Sequence, residues 1–179
     1  MKNTNIQTIY QKTIAFAAEH HGQQKMPNGL PYIVHLSNVA MEVFMAHKQK
    51  PDFNLKLAIQ LALLHDVLED TALSFKALKA DFGNLVAEGV LALTKDSTLD
   101  KKDQMQDCLT RIEEQDKEVA IVKLCDRITN LQKPPVKWDK EKIKKYHLQA
   151  ASIAQALEGK NAYLDKRILS KIKDFAAFV

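Results

Sequence analysis

Two histidines and two aspartates, His35, His65, Asp66 and Asp126, stand inside or beside apolar stretches of a chain of 179 residues. The densest stretch is Leu63-Leu64-His65-Asp66-Val67-Leu68-Glu69-Asp70-Thr71. His35 closes Pro31-Tyr32-Ile33-Val34-His35, and Asp126 follows Val122-Lys123-Leu124-Cys125. Polar groups on apolar faces are costly unless paired or bound to metal. Two imidazoles and two carboxylates make a divalent-metal site. A mixed nitrogen and oxygen set suits Mn, Fe, Co, Ni or Zn better than Mg or Ca. Four protein ligands leave an octahedral ion open to water or a substrate oxygen. Such an ion polarises a phosphoryl oxygen and makes hydroxide available near neutral pH.

Glu69 lies four residues after His65, on the same helical face, where it can orient or deprotonate the attacking water. Asp70 lies four residues after Asp66. The plain reading of this acidic pair is a helix end running into a turn. Negative charge at a helix C-terminus is unfavourable to the dipole, however, and a nearby cation gives the two acids a reason. His20, His21, His47 and His147 have no comparable company and read as surface residues. Cys125 precedes a proposed ligand but reads as a small buried core residue.

Helical periodicity supplies the elements that carry these residues. Ile6, Ile9, Tyr10, Thr13, Ile14 and Ala17 make a first amphipathic helix, followed by a loop from Gly22 through Pro31. Tyr32 to about His47 returns to helix. Pro51-Asp52 opens the next, expected to run unbroken to about Glu69 and to carry His65-Asp66. Ser74 is a candidate N-cap and Phe82-Gly83 a stop. Asn84 to Thr94 is short and apolar, Lys101 to Glu114 a polar helix, and Lys117 to Leu131 a helix with an apolar centre. Pro134-Pro135 breaks the chain, and Trp138 to Leu157 and Asn161 to Phe178 close it. The expectation is an all-α bundle of eight or nine helices forming one domain over residues 1–179.

Composition narrows the class. Hydrophobic residues make up 46% and charged residues 27%, as in ordinary globular proteins. Five glycines and five prolines are too few for the turns of an all-β fold. No apolar run approaches the ~20 residues that span a bilayer, and the N-terminus lacks a signal-peptide pattern, so a cytoplasmic protein with no membrane partner is expected. Two cysteines, Cys108 and Cys125, fit a reducing compartment. The net charge of +4 is mild. Lysines concentrate between Lys133 and Lys145, but no nucleic-acid-binding motif is present, which argues against nucleic acid, and the run is compatible with a solvated helix face or a small anionic substrate. The oligomeric state is left open.

The motifs resemble those of the HD superfamily of metal-dependent phosphohydrolases, and more closely the hydrolase domain of the RelA/SpoT family in its small stand-alone animal and bacterial members. Gly29-Leu30-Pro31-Tyr32-Ile33-Val34-His35 resembles G-x-P-Y-I-x-H. Ala62 through Thr71 resembles A-x-L-H-D-x-x-E-D-T, and Val122 through Leu131 resembles V-K-L-A-D-[KR]-x-x-N-[LM]. The resemblance covers nearly the whole chain and leaves no room for a synthetase domain. It implies an HD-domain helical bundle in which His35, His65, Asp66 and Asp126 bind Mn²⁺ and Glu69 and Asp70 handle water and proton transfers. It further implies that Asn130 touches the ribose or the metal's surroundings, and that Lys101, Lys142 and Tyr146 contact phosphates or sugar. The implied reaction removes the 3′-pyrophosphate of the guanosine alarmones ppGpp and pppGpp. The alternative is phosphatase activity on the 2′-phosphate of NADPH or another nucleotide phosphate. A silent nucleotide-binding module is disfavoured by the intact Glu69-Asp70. One departure is the loop ahead of His35, where the family has an Arg-Lys pair and this chain has Gln23-Gln24-Lys25-Met26. Lys25 can hold either basic place, and lysine stacks on a base less well than arginine, so looser guanine preference is expected.

Overall fold

The computed structural model describes residues 5–179, and among these no strand occurs beyond an isolated bridge between Lys25 and Pro31. The helices are α1 (Ile6–His21), α2 (Ile33–Gln49), α3 (Leu55–Leu64), α4 (Val67–Asp70), α5 (Phe75–Phe82), α6 (Asn84–Leu93), α7 (Gln104–Glu113), α8 (Lys117–Asn130), α9 (Lys140–Ala156) and α10 (Ala162–Phe175), with a closing 3₁₀ turn at Ala176–Phe178. Setting aside the single turn α4, nine helices remain among the described residues, in line with the all-α expectation. Among the described residues no helix is long and apolar enough to cross a membrane.

α3 lies at the centre. Leu57, Ala58, Ile59 and Leu61 through Leu64 are all buried, and a helix apolar around most of its circumference belongs inside a bundle. It packs against α1, α2, α6 and α8. At about 1.5–3 kcal/mol for each fully buried aliphatic side chain, this short segment anchors the core. α8 is nearly as enclosed, with Val119 through Cys125 and Ile128 buried. The close approach of α6 to both depends on Gly89, where an added Cβ would sit 2.7 Å from Leu61 Cδ2 and 3.2 Å from Val119 Cγ2.

Side-chain caps set several starts. Asn54 accepts from the amides of Lys56 and Leu57, Ser74 from Ala77, Asp139 from Lys142, and Asn161 from Tyr163 and Leu164. Ser74 and Gly83 cap and stop α5 where the sequence places them. Several boundaries differ from expectation. α3 starts at Leu55 rather than at Pro51-Asp52, because Asn54 is the residue whose side chain captures the free amides. α7 starts at Gln104, and its buried face of Met105, Cys108, Leu109 and Ile112 makes it amphipathic rather than simply polar. The largest difference is at His65-Asp66. The helix expected to continue to Glu69 ends at Leu64 and resumes at Val67. Asp66 takes φ −104 and ψ −1, in the sparsely allowed bridge region where many active-site residues sit.

Between α1 and α2 the chain forms a short clasp. The Tyr32 amide donates to Gln24 O (2.9 Å) and the Met26 amide to Leu30 O (2.8 Å). At its tip, Gly29 adopts φ +87, a conformation that favours glycine.

Candidate metal centre and active site

The break between α3 and α4 is what aims the cluster. On a continuous helix His65 and Asp66 would diverge by about 100°. Here the His65 Nε2 lies 2.9 Å from Asp66 Oδ2. His65 Nδ1 faces Ala62 O at 2.9 Å, which fixes that nitrogen as the donor and turns Nε2 toward the centre. His35, from the first turns of α2, brings its Nε2 to 3.3 Å from that of His65. Asp126, from α8, places Oδ1 3.3 Å from His35 Nε2 and 3.8 Å from His65 Nε2. Ligand atoms of His35, His65 and Asp126 all lie within 4.8 Å of one another. Asp66 joins from the side, 3.8 Å from His35 Nε2.

These separations suit a divalent ion: with bonds of about 2.0–2.2 Å, neighbouring donors stand about 3 Å apart. Two inward imidazole nitrogens and two carboxylate oxygens are a donor set for a borderline transition metal. Supporting contacts hold the donors. Asn130 Nδ2 donates to Asp126 Oδ1 at 2.6 Å, and the Tyr32 hydroxyl donates to Asp66 Oδ2. Burial alone would raise both carboxyls, yet the imidazoles of His35 and His65 hold Asp66 and Asp126 well below the usual carboxylate range. Burial likewise disfavours a charged His65, but Asp66 and Asp126 outweigh it and push the imidazole up to about 9. Burial and the adjacent Asp66 carboxylate raise the Tyr32 phenol well above its ordinary value, so it stays a donor.

A cavity of about 300 Å³ opens beside this centre, lined in part by His35, Asp66, Glu69, Asp70, Asp126 and Asn130. Glu69 is gripped twice by one residue: Lys95 Nζ lies 2.6 Å from Oε1, and the Lys95 amide donates to Oε2 at 3.1 Å. Burial lowers the Lys95 ammonium pKa, but Glu69 more than restores it. Asp70 Oδ2 accepts from Gln24 Nε2 at 2.9 Å, and Gln24 Oε1 lies 2.7 Å from His21 Nδ1. The His21 ring stacks on Tyr32 with centroids 4.9 Å apart. His21 is therefore a buried residue and not the surface residue its sequence context suggests; its place at the end of α1 turns it inward against the α2 entry.

Asn130 and Tyr146 line the cavity, whereas Lys25, Lys101 and Lys142 are exposed and stand outside its lining. Lys142 rests its ammonium 4.7 Å over the Trp138 ring. The lining also includes Tyr32, Lys95, Lys123, Arg127 and Gln149, to which sequence reading gave no role. For Lys123 and Arg127 a signal was available, since both are charged and flank Asp126 within an apolar helix.

The family model described as an HD domain matches residues 13–160. The chain belongs to the HD-domain family. This HD-domain protein is 31% identical over 173 residues to guanosine-3′,5′-bis(diphosphate) 3′-pyrophosphohydrolase MESH1 of Danio rerio, covering 93% of each chain. It is 36% identical over 127 residues to the guanosine-3′,5′-bis(diphosphate) 3′-pyrophosphohydrolase of Aquifex aeolicus, a match spanning 68% of this chain and 17% of that one. Among solved structures it resembles one reported as a metazoan ortholog of SpoT that hydrolyzes ppGpp and plays a role in starvation responses. The TM-score is 0.80 at 26% identity, over 93% of this chain and 94% of that one. The RelA/SpoT resemblance of the motifs thus extends to the fold.

Proposed function

We propose that this HD-domain protein removes the 3′-pyrophosphate of ppGpp and pppGpp, giving GDP or GTP and pyrophosphate. The observation that carries the reading is the cluster of His35, His65, Asp66 and Asp126 donors beside one cavity whose wall includes His35, Asp66 and Asp126 together with the acids Glu69 and Asp70. The activity named for the MESH1 relatives supports the choice of substrate. The four donors would hold one divalent ion, proposed to be Mn²⁺. When bound, it supplies Lewis acidity toward a phosphoryl oxygen and lowers the pKa of water.

The residues then divide the work. Asn130 and Tyr32 keep the Asp126 and Asp66 oxygens turned to the centre. Water attacks the phosphorus bonded to the ribose 3′ oxygen, and that P–O bond breaks. Glu69, fixed by Lys95, stands to accept the proton the water loses. Asp70, fixed by Gln24, stands to receive that proton in turn and deliver it to the 3′ oxygen. Pyrophosphate departs carrying the oxygen of water. Asn130 and Tyr146 are assigned to sugar or phosphate contacts within the cavity, and Lys25, Lys101 and Lys142 to outer parts of the ligand. With Lys25 in place of a stacking arginine, discrimination between guanine and adenine is expected to be loose. The proposed setting is the cytoplasm, with residues 1–179 acting as one domain.

The test is product identity by chromatography with ppGpp, pppGpp, ppApp and NADPH in the presence of Mn²⁺. Pyrophosphate release from the guanosine substrates is the expected result. Release from none of the first three, with phosphate released from NADPH, would overturn the reading in favour of a nucleotide phosphatase.

A further inference from the structure

The cavity wall on α8 carries two cations that the metal centre does not use. Lys123 and Arg127 are only 6% and 5% exposed, and both line the cavity. They are four residues apart, one helical turn, on either side of Asp126. The Lys123 ammonium has no hydrogen bond or ion pair among the described residues, although its charge does help to hold Asp126 ionised. The Arg127 guanidinium lies 4.2 Å over the Tyr146 ring and donates through Nη2 to Gln149 Oε1 at 2.9 Å. Its Nε and Nη1 are buried with no partner.

Buried charged donors without acceptors are expensive, and neither cation is needed to neutralise the nearby acids. Glu69 already has Lys95, and Asp66 and Asp126 face the two imidazoles. An incoming anion is what the pair lacks. The guanidinium fork matches a phosphate group, and an ammonium complements it as a point charge.

We propose that Lys123 and Arg127 form a two-cation cradle for the phosphate groups of the bound nucleotide, beside Asp126 and deeper than any surface lysine. The proposal rests on the nucleotide-hydrolase reading above. It sets one condition on the protein: because Nε and Nη1 are covered, Arg127 has to slide on the Tyr146 ring to present them. The ring provides a surface on which a planar cation moves while keeping its stacking contact.

The test uses inorganic pyrophosphate as the probe. The chain has three arginines, Arg111, Arg127 and Arg167, and the Nε–H groups of Arg111 and Arg167 are already bonded to Asp107 and Glu42. Titrating pyrophosphate into wild-type protein with diamagnetic Mg²⁺ should therefore shift the Arg127 Nε–H resonance and leave the other two in place. By calorimetry, Arg127→Gln and Lys123→Gln should each weaken pyrophosphate binding by at least about tenfold, with Arg127→Lys intermediate. The control changes Lys12→Ala and Lys173→Ala, each removing one exposed positive charge, should alter it less than about twofold. An unmoved Arg127 resonance at saturation, wild-type affinity in both glutamine variants, or no pyrophosphate binding by the wild type overturns the cradle. If the glutamine variants do not fold, the wild-type resonance decides. Hydrolysis of ppGpp with unchanged KM in both variants would sink the cradle and leave the alarmone reading standing. Pyrophosphate binding through both residues without ppGpp hydrolysis would do the reverse.

Discussion

Single side chains at this centre divide into those that would hold an ion and those that would move protons, and the two groups predict different losses. His65→Ala removes one donor and strips Asp66 of its 2.9 Å partner. Elemental analysis should find no stoichiometric divalent ion in it, and turnover should fall to background. Full metal content in that variant would exclude His65 as a ligand. Glu69→Gln keeps the shape and removes the charge. It should retain metal and lose roughly 10²–10⁴-fold in turnover, the usual worth of a positioned acid or base. Lys95→Ala leaves the Glu69 carboxylate in place but unheld by the ammonium. A loss of roughly 10–100-fold is expected, on the scale by which small misplacements of catalytic groups act. Turnover in Lys95→Ala equal to wild type would mean that the backbone amide at position 95 is grip enough. The clustering of the four proposed donors was legible in the sequence because imidazoles and carboxylates beside apolar helical runs are costly unless something binds them. Lys95, Gln24 and Tyr32 were not legible as partners of Glu69, Asp70 and Asp66. Their contacts cross 26, 46 and 34 residues of chain and exist only once the helices have assembled.

Helices follow the sequence pattern closely where burial is one-sided and less closely where the site intervenes. The 3.6-residue period located α1, α2, α6 and α8, and cap chemistry located both ends of α5. The interruption at His65-Asp66 left no trace in the sequence, since it contains neither glycine nor proline. Nothing local ends the helix there; the break accompanies the contacts that His65 and Asp66 make with α2 and α8. Two substitutions test the elements themselves. Asn161 caps α10 through two amides and reaches Asp52 at 3.3 Å while almost wholly buried. Asn161→Ala should cost about 1–2 kcal/mol in urea unfolding, with metal affinity unchanged. Gly89→Ala brings opposing effects. Alanine favours the helix by about 1 kcal/mol, while overpacking against Leu61 and Val119 costs about 1–3 kcal/mol. Because Leu61 is fully buried, net destabilisation is expected, and a raised melting temperature would show that Leu61 swings aside freely.

Over the whole molecule, the proposed ion would tie α2, the α3–α4 junction and α8 together, three segments far apart in sequence. Ion bound at one hundred times its dissociation constant stabilises by about 2.7 kcal/mol. For a protein of this size that corresponds to roughly 5–10 °C in melting temperature, so chelation followed by a thermal melt should show a drop of that order, reversed by adding Mn²⁺. The class of architecture was plain from composition and helical periodicity, but the central position of α3 was visible only as its largely apolar sequence. The clasp between α1 and α2 has a different kind of consequence. Its base is closed by Tyr32 on Gln24 and Met26 on Leu30, while Met26 and Pro27 reach the cavity wall. Pro27 and Asn28 are thus the positions of the tip open to exchange, with Gly29 kept for its positive φ. Their side chains can change what enters the cavity while the clasp base is kept, which makes this tip the natural place to graft new substrate preference.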